Sequence, residues 1–193
     1  MSDERLSGIV DALYSRLILR DFFGKVVPGS IILLSIFVAT FSYDDLKKGL
    51  DHISFLPGIL LIGLSWILAF ALQAFGETLH IICYHDCETN EEFYVKRHRF
   101  HVGTGVQQHQ QLERLVVIRE ACGNGYLALT LSGAFLALNT LATRGPRALG
   151  NLFTFYWPVI VFAVLLVVFL AVMHFVHVRR QSEYINSFLT MNG

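Results

Sequence analysis

Uncharged apolar stretches long enough to cross a bilayer dominate the pattern of polar and apolar positions. Residues 56–76 carry no charge until Glu77, and a helix needs about 20 such residues to cross a hydrocarbon core roughly 30 Å thick. Residues 26–43, 123–142 and 158–178 repeat this pattern without Asp, Glu, Lys or Arg. The pattern therefore predicts an all-α integral membrane protein with four transmembrane helices.

An amphipathic helix is predicted before the first span. Within residues 1–25, apolar side chains recur at helical spacing with arginines among them. This pattern is typical of a helix that lies in the headgroup plane or packs against the rest of the protein. The predicted divisions of the chain are this cytosolic helix (1–25), two transmembrane helices (26–76), a cytosolic segment (77–121), two further transmembrane helices (122–178) and a cytosolic tail (179–193).

The cytosolic segment is the largest predicted part outside the membrane. Its first residues are expected to continue the second span. Residues 91–102 alternate enough to predict a strand or irregular structure, Gly103-Thr104-Gly105 interrupts the chain, and Gln107 to Ala121 resumes a helical pattern. A further turn is predicted at Arg144 to Arg147, between the third and fourth spans.

The distribution of Lys and Arg predicts the orientation of the spans. Eleven of these residues lie in the amino-terminal arm, the central segment and the tail, and four lie in the two remaining loops. Cytosolic loops carry the excess of positive charge in membrane proteins. We therefore expect both termini and segment 77–121 to lie in the cytosol.

The composition agrees with a membrane location. Apolar residues make up 54% of the chain and charged residues 16%, with a mean hydropathy of +0.53, so the apolar excess is larger than in a soluble domain. The formal net charge is zero, which offers no whole-chain argument for nucleic-acid binding. Three cysteines are an odd number without a disulfide framework, and reduced thiols are expected in the cytosol.

Small residues four positions apart predict where two spans pack closely. The second span has Ser65 and Ala69, and the third has Gly133 and Ala137. Such spacing lets membrane helices bring their backbones together, so we expect these two spans to pair in the interior. The fourth span is bulky, and its main face is expected to contact lipid.

Histidines and cysteines near the cytosolic ends of the spans form a candidate metal site. Imidazole and thiolate ligands suit both zinc and iron. The candidate ligands are His80, Cys83, Cys87, His174 and His177. The alternative interpretation is ordinary interfacial histidines and free cysteines, in which case no cofactor is implied.

The densest cationic run is a candidate binding site for an anionic ligand or lipid. It is formed by Lys96, Arg97, Arg99 and His101. The flanking aromatic residues Phe93, Tyr94 and Phe100 could stack a base, as in sites for nucleotides or RNA. A solvated surface is the alternative interpretation, because three glutamates lie beside the run.

Signatures of catalysis and of coupled transport are absent from the sequence. No Gly-x-Ser-x-Gly motif occurs, so no catalytic residue is predicted. The spans lack Asp, Glu, Lys and Arg, which disfavours a proton- or ion-coupled carrier. A passive pore made by several copies remains an alternative, because hydroxyl and amide side chains can line a narrow channel.

Residues 19–29 read Leu-Arg-Asp-Phe-Phe-Gly-Lys-Val-Val-Pro-Gly. This stretch resembles the entry into the first span of small four-helix bacterial membrane proteins, some of them encoded beside antiviral systems such as CRISPR loci. The resemblance implies a membrane effector, located in a bacterial inner membrane, that oligomerises and alters permeability when a cytosolic signal arrives. It assigns no functional residue to this chain.

The leading functional hypothesis is a self-associating, pore-forming or permeability-altering effector, gated through its cytosolic segment and belonging to antiviral defence. One alternative is a non-catalytic anchor or scaffold for a soluble partner. Another is a membrane metalloenzyme that uses the histidines and cysteines at the cytosolic interface. The expected partners are membrane lipids, further copies of the chain, and a cytosolic protein, nucleotide or RNA.

Overall fold

The computed structural model describes residues 21–41, 45, 47–49, 55–83 and 90–191. The amphipathic helix predicted for residues 1–25 therefore lies largely outside the described residues, and so does Cys87. The described part consists of helices joined by turns, and no strand occurs within it. The all-α class is confirmed.

Within the described ranges, four helices have defined bounds. They are α1 (Val27–Thr40), α2 (Phe55–Thr78), α3 (Asn90–Gly103) and α4 (Val106–Met191). Three helical stretches of the described chain, at residues 21–40, 55–78 and 106–190, are long and apolar enough to cross a membrane. Their length and hydropathy agree with the membrane class predicted from the sequence.

The 86-residue helix α4 is interrupted near its middle. Backbone geometry is non-helical at Gly145 (φ 78°, ψ 175°) and at Tyr156 (φ −110°, ψ 16°). Positive φ favours glycine, and an extended ψ suits the residue that precedes Pro146. The break at Gly145 coincides with the turn predicted at Arg144 to Arg147, and it divides α4 into a first arm (residues 106–144) and a second arm (residues 146–191).

The two arms of α4 run antiparallel. Tyr184, near the end of the second arm, donates a hydrogen bond to Oε1 of Gln111, near the start of the first arm, at 2.7 Å. Gln181, which comes earlier in the second arm, pairs with Arg119, which comes later in the first arm. Helix α4 is therefore a hairpin.

The closest helix contact joins α1 to α2. A Cβ atom added to Gly29 would lie 1.7 Å from the carbonyl oxygen of Ser65, so only glycine permits this approach. The hydroxyl of Ser30 also donates to the hydroxyl of Ser65 at 3.1 Å. Ser65 and Ala69 are both buried, and the helix that approaches Ser65 this closely is α1.

Gly133 makes no comparable contact within the described part of the chain. It is exposed, a Cβ atom added there meets no atom within 4 Å, and Ala137 is only half-buried. The expected pairing of Ser65 and Ala69 with these two residues is not found, because α1 occupies the Ser65 face of α2. Contact between α2 and the first arm lies further along, where Gly76 packs against Leu127.

Two groups of buried apolar residues form the interior of the described part of the chain. The first joins α2 to the α4 hairpin and consists of Leu72, Ile82, Tyr126, Leu127 and Ala128. The second joins α3 to both arms and consists of Phe93, Phe100, Leu112 and Ile185. We call this second group, with the surrounding residues of α3 and residues 106–121 and 179–191, the platform. It lies beyond the long apolar stretches.

Helix α3 corrects the strand or irregular structure expected for residues 91–102. Phe93 and Phe100 are 2% and 0% exposed. Seven residues make two helical turns, so both rings point to one side of α3. The apparent alternation is misleading because Tyr94 and Val95 are apolar yet exposed. Burial of one aromatic face against α4 decides the structure.

The second arm exposes a broad apolar face. Phe162, Leu165 and Phe169 are each more than half exposed, and large apolar residues continue on both sides of them. Soluble monomers rarely expose contiguous apolar surface of this extent. This face suits lipid, in agreement with the bulky composition of the predicted fourth span.

Candidate functional site

A group of buried polar side chains lies where the apolar helices meet the platform. It consists of Arg119, Asn124, His174 and Gln181, none of which is more than 1% exposed. We call this group the junction cluster. Burying a polar or charged group is costly unless it is hydrogen-bonded. The partners of these four residues therefore show what the cluster does.

Arg119 links the two arms of α4. Its Nη1 donates a hydrogen bond to Oε1 of Gln181 at 2.7 Å, and its Nη2 lies 3.6 Å from Oε1 of Glu120. The neighbouring carboxylate offsets the guanidinium charge. Gln181 lies 62 positions further along the chain, so this bond fastens the second arm to the first.

His174 joins three parts of the chain through its two ring nitrogens. Its Nε2 lies 3.2 Å from the backbone nitrogen of Cys83, and its Nδ1 lies 3.0 Å from the carbonyl oxygen of Arg119. A backbone N–H can only donate and a carbonyl can only accept, so the ring is neutral with its proton on Nδ1. A metal ion would have to displace a backbone contact to bind His174.

Two further bonds fasten the segments that flank α1 and α2. Nδ2 of Asn124 donates to the carbonyl oxygen of Gly24 at 2.8 Å, and the hydroxyl of Tyr126 donates to the carbonyl oxygen of Ile81. The amino end of α1, the exit from α2 and both arms of α4 are thus joined at one level. The junction cluster holds the platform in a defined position relative to the apolar helices.

The predicted cationic run lies on α3, at the surface of the platform. Arg99 and His101 are exposed, whereas Lys96 and Arg97 are half-buried. The run therefore does not present four equivalent charges to solvent. Its exposed residues lie towards the carboxyl end of α3.

Two of the three aromatic residues expected to stack a base are in the platform core. Phe93 and Phe100 are buried against α4, so their rings are not accessible to a nucleotide. Tyr94 alone of the three is exposed, at 61%. The base-stacking expectation was wrong for the two phenylalanines, because the helical face that buries them is the one that holds α3 in place.

A chain of hydrogen bonds connects the end of α3 to the start of α4. Nδ1 of His101 lies 3.0 Å from Nε2 of His109, Nδ1 of His109 lies 3.2 Å from the Thr104 hydroxyl, and that hydroxyl donates to the carbonyl oxygen of Phe100 at 2.7 Å. The pKa of His101 is lowered, first by burial and then by the positive charges of His109 and Arg97. Neutral imidazole is favoured at this position.

The predicted metal ligands do not converge in the described structure. His80 is exposed and lies in a turn with positive φ. The Sγ atom of Cys83 lies 3.6 Å from the carbonyl oxygen of His80. Nδ1 of His177 donates to the carbonyl oxygen of Met173 at 2.8 Å. Within the described ranges, no three His, Cys, Asp or Glu side chains are grouped so as to hold a metal ion. Cys87 lies outside these ranges.

Sequence reasoning missed Arg119 and Gln181 as buried partners, and it missed His109. A signal for Gln181 is present, since His174, Val178, Gln181 and Ile185 recur every three or four residues and form one helical stripe. This stripe is difficult to recognise because two of its four members are polar, and a buried helical face is normally recognised from apolar residues. No pattern along the sequence pairs residues 119 and 181.

No family model, curated protein or solved structure matches this chain. Its function is therefore inferred from the geometry of the junction cluster and the platform.

Proposed function

We propose that this protein is a non-catalytic membrane anchor whose platform recruits a soluble partner in the cytosol. The observation that carries the proposal is the junction cluster. Within it, His174 of the second arm binds the carbonyl oxygen of Arg119 in the platform, and Arg119 binds Gln181 across the two platform segments. Asn124 fastens the amino end of α1 beside them. A platform held in this way keeps a fixed position at the membrane surface. That property suits a docking site better than a gate that must move.

The polar side chains of the apolar helices also favour an anchor over a channel. The hydroxyl of Ser30 donates to Ser65, the hydroxyl of Ser132 to the carbonyl of Ile31, and the amide of Asn139 to the carbonyl of Ala39. These donors are used inside one chain, as expected for helices packed in lipid. A channel lining needs polar groups that are available to ions or water.

The outer face of α3 is the proposed docking surface. Tyr94 and Val102 are 61% and 76% exposed, Val95 is also exposed, and Arg99 lies one helical turn after it. Exposed aromatic residues and arginine are enriched in protein interfaces. The positive charge of Arg99 favours a partner with an acidic surface.

Site-specific photo-crosslinking in the membranes of producing cells tests the docking surface. A photoreactive amino acid at Val102 should give a discrete adduct with one soluble protein. The same group at Phe162, on the lipid-facing second arm, is the matched control and should give none. Arg99→Glu should abolish the Val102 adduct, because it reverses the charge of the docking surface. An adduct unaffected by Arg99→Glu, or crosslinks to lipid alone, would contradict the proposal.

The proposed anchor crosses a bacterial inner membrane four times, through α1, through α2 and through each arm of α4, with both termini in the cytosol. The antiparallel arms of α4 and the distribution of Lys and Arg support this topology. Reporter fusions at Met1 and Gly193 should both be active in the cytosol. In a cysteine-free background, Arg144→Cys should react with an impermeant thiol reagent from the opposite side. Termini on opposite sides of the membrane would refute the topology.

A second candidate is the self-associating, permeability-altering effector implied by the resemblance at residues 19–29, with a role in antiviral defence. One observation favours it: Gly133 and Ala134 are exposed, and Gly133 has open space around it. A second copy could therefore bring its backbone close to this part of the first arm.

Overproduction tests this second candidate. The effector should cause growth arrest and dye entry that are lost with Gly133→Leu. Gly63→Leu is the control, because Gly63 also faces open space but lies on α2, and it should keep both effects. A monomeric native mass, together with vesicles that retain their dye, would exclude the effector and leave the anchor.

A further inference from the structure

His109 is oriented by a partner on its far ring nitrogen. The Thr104 hydroxyl gives its proton to the carbonyl of Phe100, so at the 3.2 Å contact with His109 it accepts a hydrogen bond from Nδ1–H. The proton of a neutral His109 is therefore on Nδ1, and the lone pair of Nε2 points away from Thr104. A metal-binding histidine characteristically has this arrangement, with one nitrogen bound to an oxygen and the other presented to the ion.

The Nε2 lone pair of His109 faces a second imidazole nitrogen. Nδ1 of His101 lies 3.0 Å from it, so in this neutral pair Nδ1–H of His101 donates to that lone pair. A metal ion can therefore bind both nitrogens only when the neutral His101 ring carries its proton on Nε2 instead. Two nitrogens on one tetrahedral zinc ion, each about 2.0 Å from the metal, lie roughly 3.3 Å apart. With the His101 proton on Nε2, a rotation of the two rings that turns both lone pairs towards one point brings these nitrogens to the spacing of two ligands on one ion. His101 is also exposed, so an ion has a path from solvent.

We propose that His101 and His109 form a binding site for a divalent transition-metal ion of the zinc class. Two imidazoles suit zinc, nickel and copper, whereas magnesium and calcium prefer oxygen ligands. The site lies between the end of α3 and the start of α4 and uses none of His80, Cys83, His174 and His177. It does not depend on the proposed recruitment of a partner.

Glu113 is the residue best placed to add a third ligand. It lies one helical turn after His109, on the same side of α4. Its carboxylate acts on His101 in the opposite sense to Arg97 and His98, raising the pKa that these two cationic side chains lower. Within the described residues, no three His, Cys, Asp or Glu side chains already lie close enough together to hold a metal ion. Glu113 therefore completes the set by changing its side-chain conformation, and water fills the remaining position.

The metal would connect two helices that are otherwise held by the platform core. His101 is on α3 and His109 is on α4, and the short link at Thr104 and Gly105 separates them. An ion bound to both fixes the end of α3 against the start of α4. Because it binds the folded form preferentially, it should also raise the melting temperature.

Zinc titration of the full chain, purified in detergent and stripped with a chelator, tests this site. Wild-type protein should bind zinc with low-micromolar or tighter affinity and melt at a higher temperature with zinc than with magnesium. His109→Gln and His101→Gln should each weaken zinc binding about tenfold or more. His80→Asn is the matched control, because it removes an exposed histidine elsewhere and Asn tolerates positive φ; it should bind as the wild type does.

Thr104→Val distinguishes zinc bound between His101 and His109 from zinc bound adventitiously elsewhere. Valine keeps the shape of threonine but removes the hydroxyl that orients His109, so affinity should fall about tenfold although no ligand is lost. Cobalt bound at the site should show the visible bands of a tetrahedral nitrogen and oxygen site, without a thiolate charge-transfer band from the cysteines. Zinc affinity unchanged in His101→Gln/His109→Gln or in Thr104→Val, or a cobalt–thiolate band, would overturn the proposal. Should the double variant misfold, Thr104→Val and the cobalt spectrum decide.

Discussion

The platform and the apolar helices achieve close packing by opposite means. In the platform, Phe93 and Phe100 fill a core against both arms of α4, because water drives large apolar side chains inward. Between α1 and α2, the contact depends on the absence of a side chain at Gly29 and on the Ser30–Ser65 hydrogen bond. Lipid supplies no hydrophobic driving force between helices, so close backbone approach takes its place.

The junction cluster lies between these two environments and uses a third means. Its buried side chains are polar, and their hydrogen bonds join segments that are distant along the chain. Such contacts contribute little net free energy while they are intact, but they are costly to break from one side. The comparison therefore predicts different consequences for substitutions in the three regions.

Gly29→Leu should have the largest effect. The new Cβ atom would overlap the carbonyl oxygen of Ser65, which is a backbone atom that cannot rotate away. We expect α1 to detach from α2 and the purified protein to lose cooperative thermal unfolding in detergent. Gly63→Leu is the control on α2, where nothing lies within 4 Å, and it should unfold as the wild type does. Cooperative unfolding of Gly29→Leu at the wild-type temperature would disprove the contact.

Phe100→Ala should have the next largest effect, and this effect should be confined to the platform. Removing a fully buried phenylalanine costs about 3–5 kcal/mol. Hydrogen exchange of the protein in detergent should show faster exchange in α3 and little change in α1 and α2. Tyr94→Ala, on the exposed side of the same helix, should leave exchange unchanged. Faster exchange throughout α1 and α2 would show that the platform and the apolar helices unfold as one unit.

Gln181→Leu should have an intermediate effect on the junction cluster. It removes the acceptor of the Arg119 Nη1 hydrogen bond, and a buried donor that loses its acceptor costs about 1–3 kcal/mol. The control is Arg179→Ala, which removes the exposed ion pair with Glu183 and should change the unfolding free energy by less than about 1 kcal/mol. Equal losses from the two changes would indicate that the Arg119 contact is not stabilising.

Ser30→Ala should have the smallest effect. It removes the hydrogen bond to the Ser65 hydroxyl, and such bonds between membrane helices contribute about 0.6 kcal/mol on average. The unfolding free energy in detergent should fall by about this amount and no more. A loss as large as that of Phe100→Ala would mean that hydrogen bonding, and not the space at Gly29, holds α1 to α2.

Part of the candidate site was accessible from the sequence, and part was not. The cationic run on α3 and His174 were both identified as candidates, because charge and ionisable side chains are visible residue by residue. The Arg119–Gln181 contact was not identified, since these residues lie 62 positions apart. Cys83 and His174 were grouped as metal ligands, whereas the contact that joins them across 91 positions uses the backbone N–H of Cys83. The role of His109 is also invisible along the chain, because it depends on how α3 folds back against α4.

The sequence by itself determined the all-α class and the presence of long apolar helical stretches, together with the break at residues 144–147. These properties are local: length, hydropathy and the presence of Gly and Pro act within one segment. Only the tertiary structure decided that residues 91–102 form a helix, that α1 lies against Ser65, and that Gly133 is left exposed. Each of these depends on which helical faces meet, and contacts between distant segments decide that.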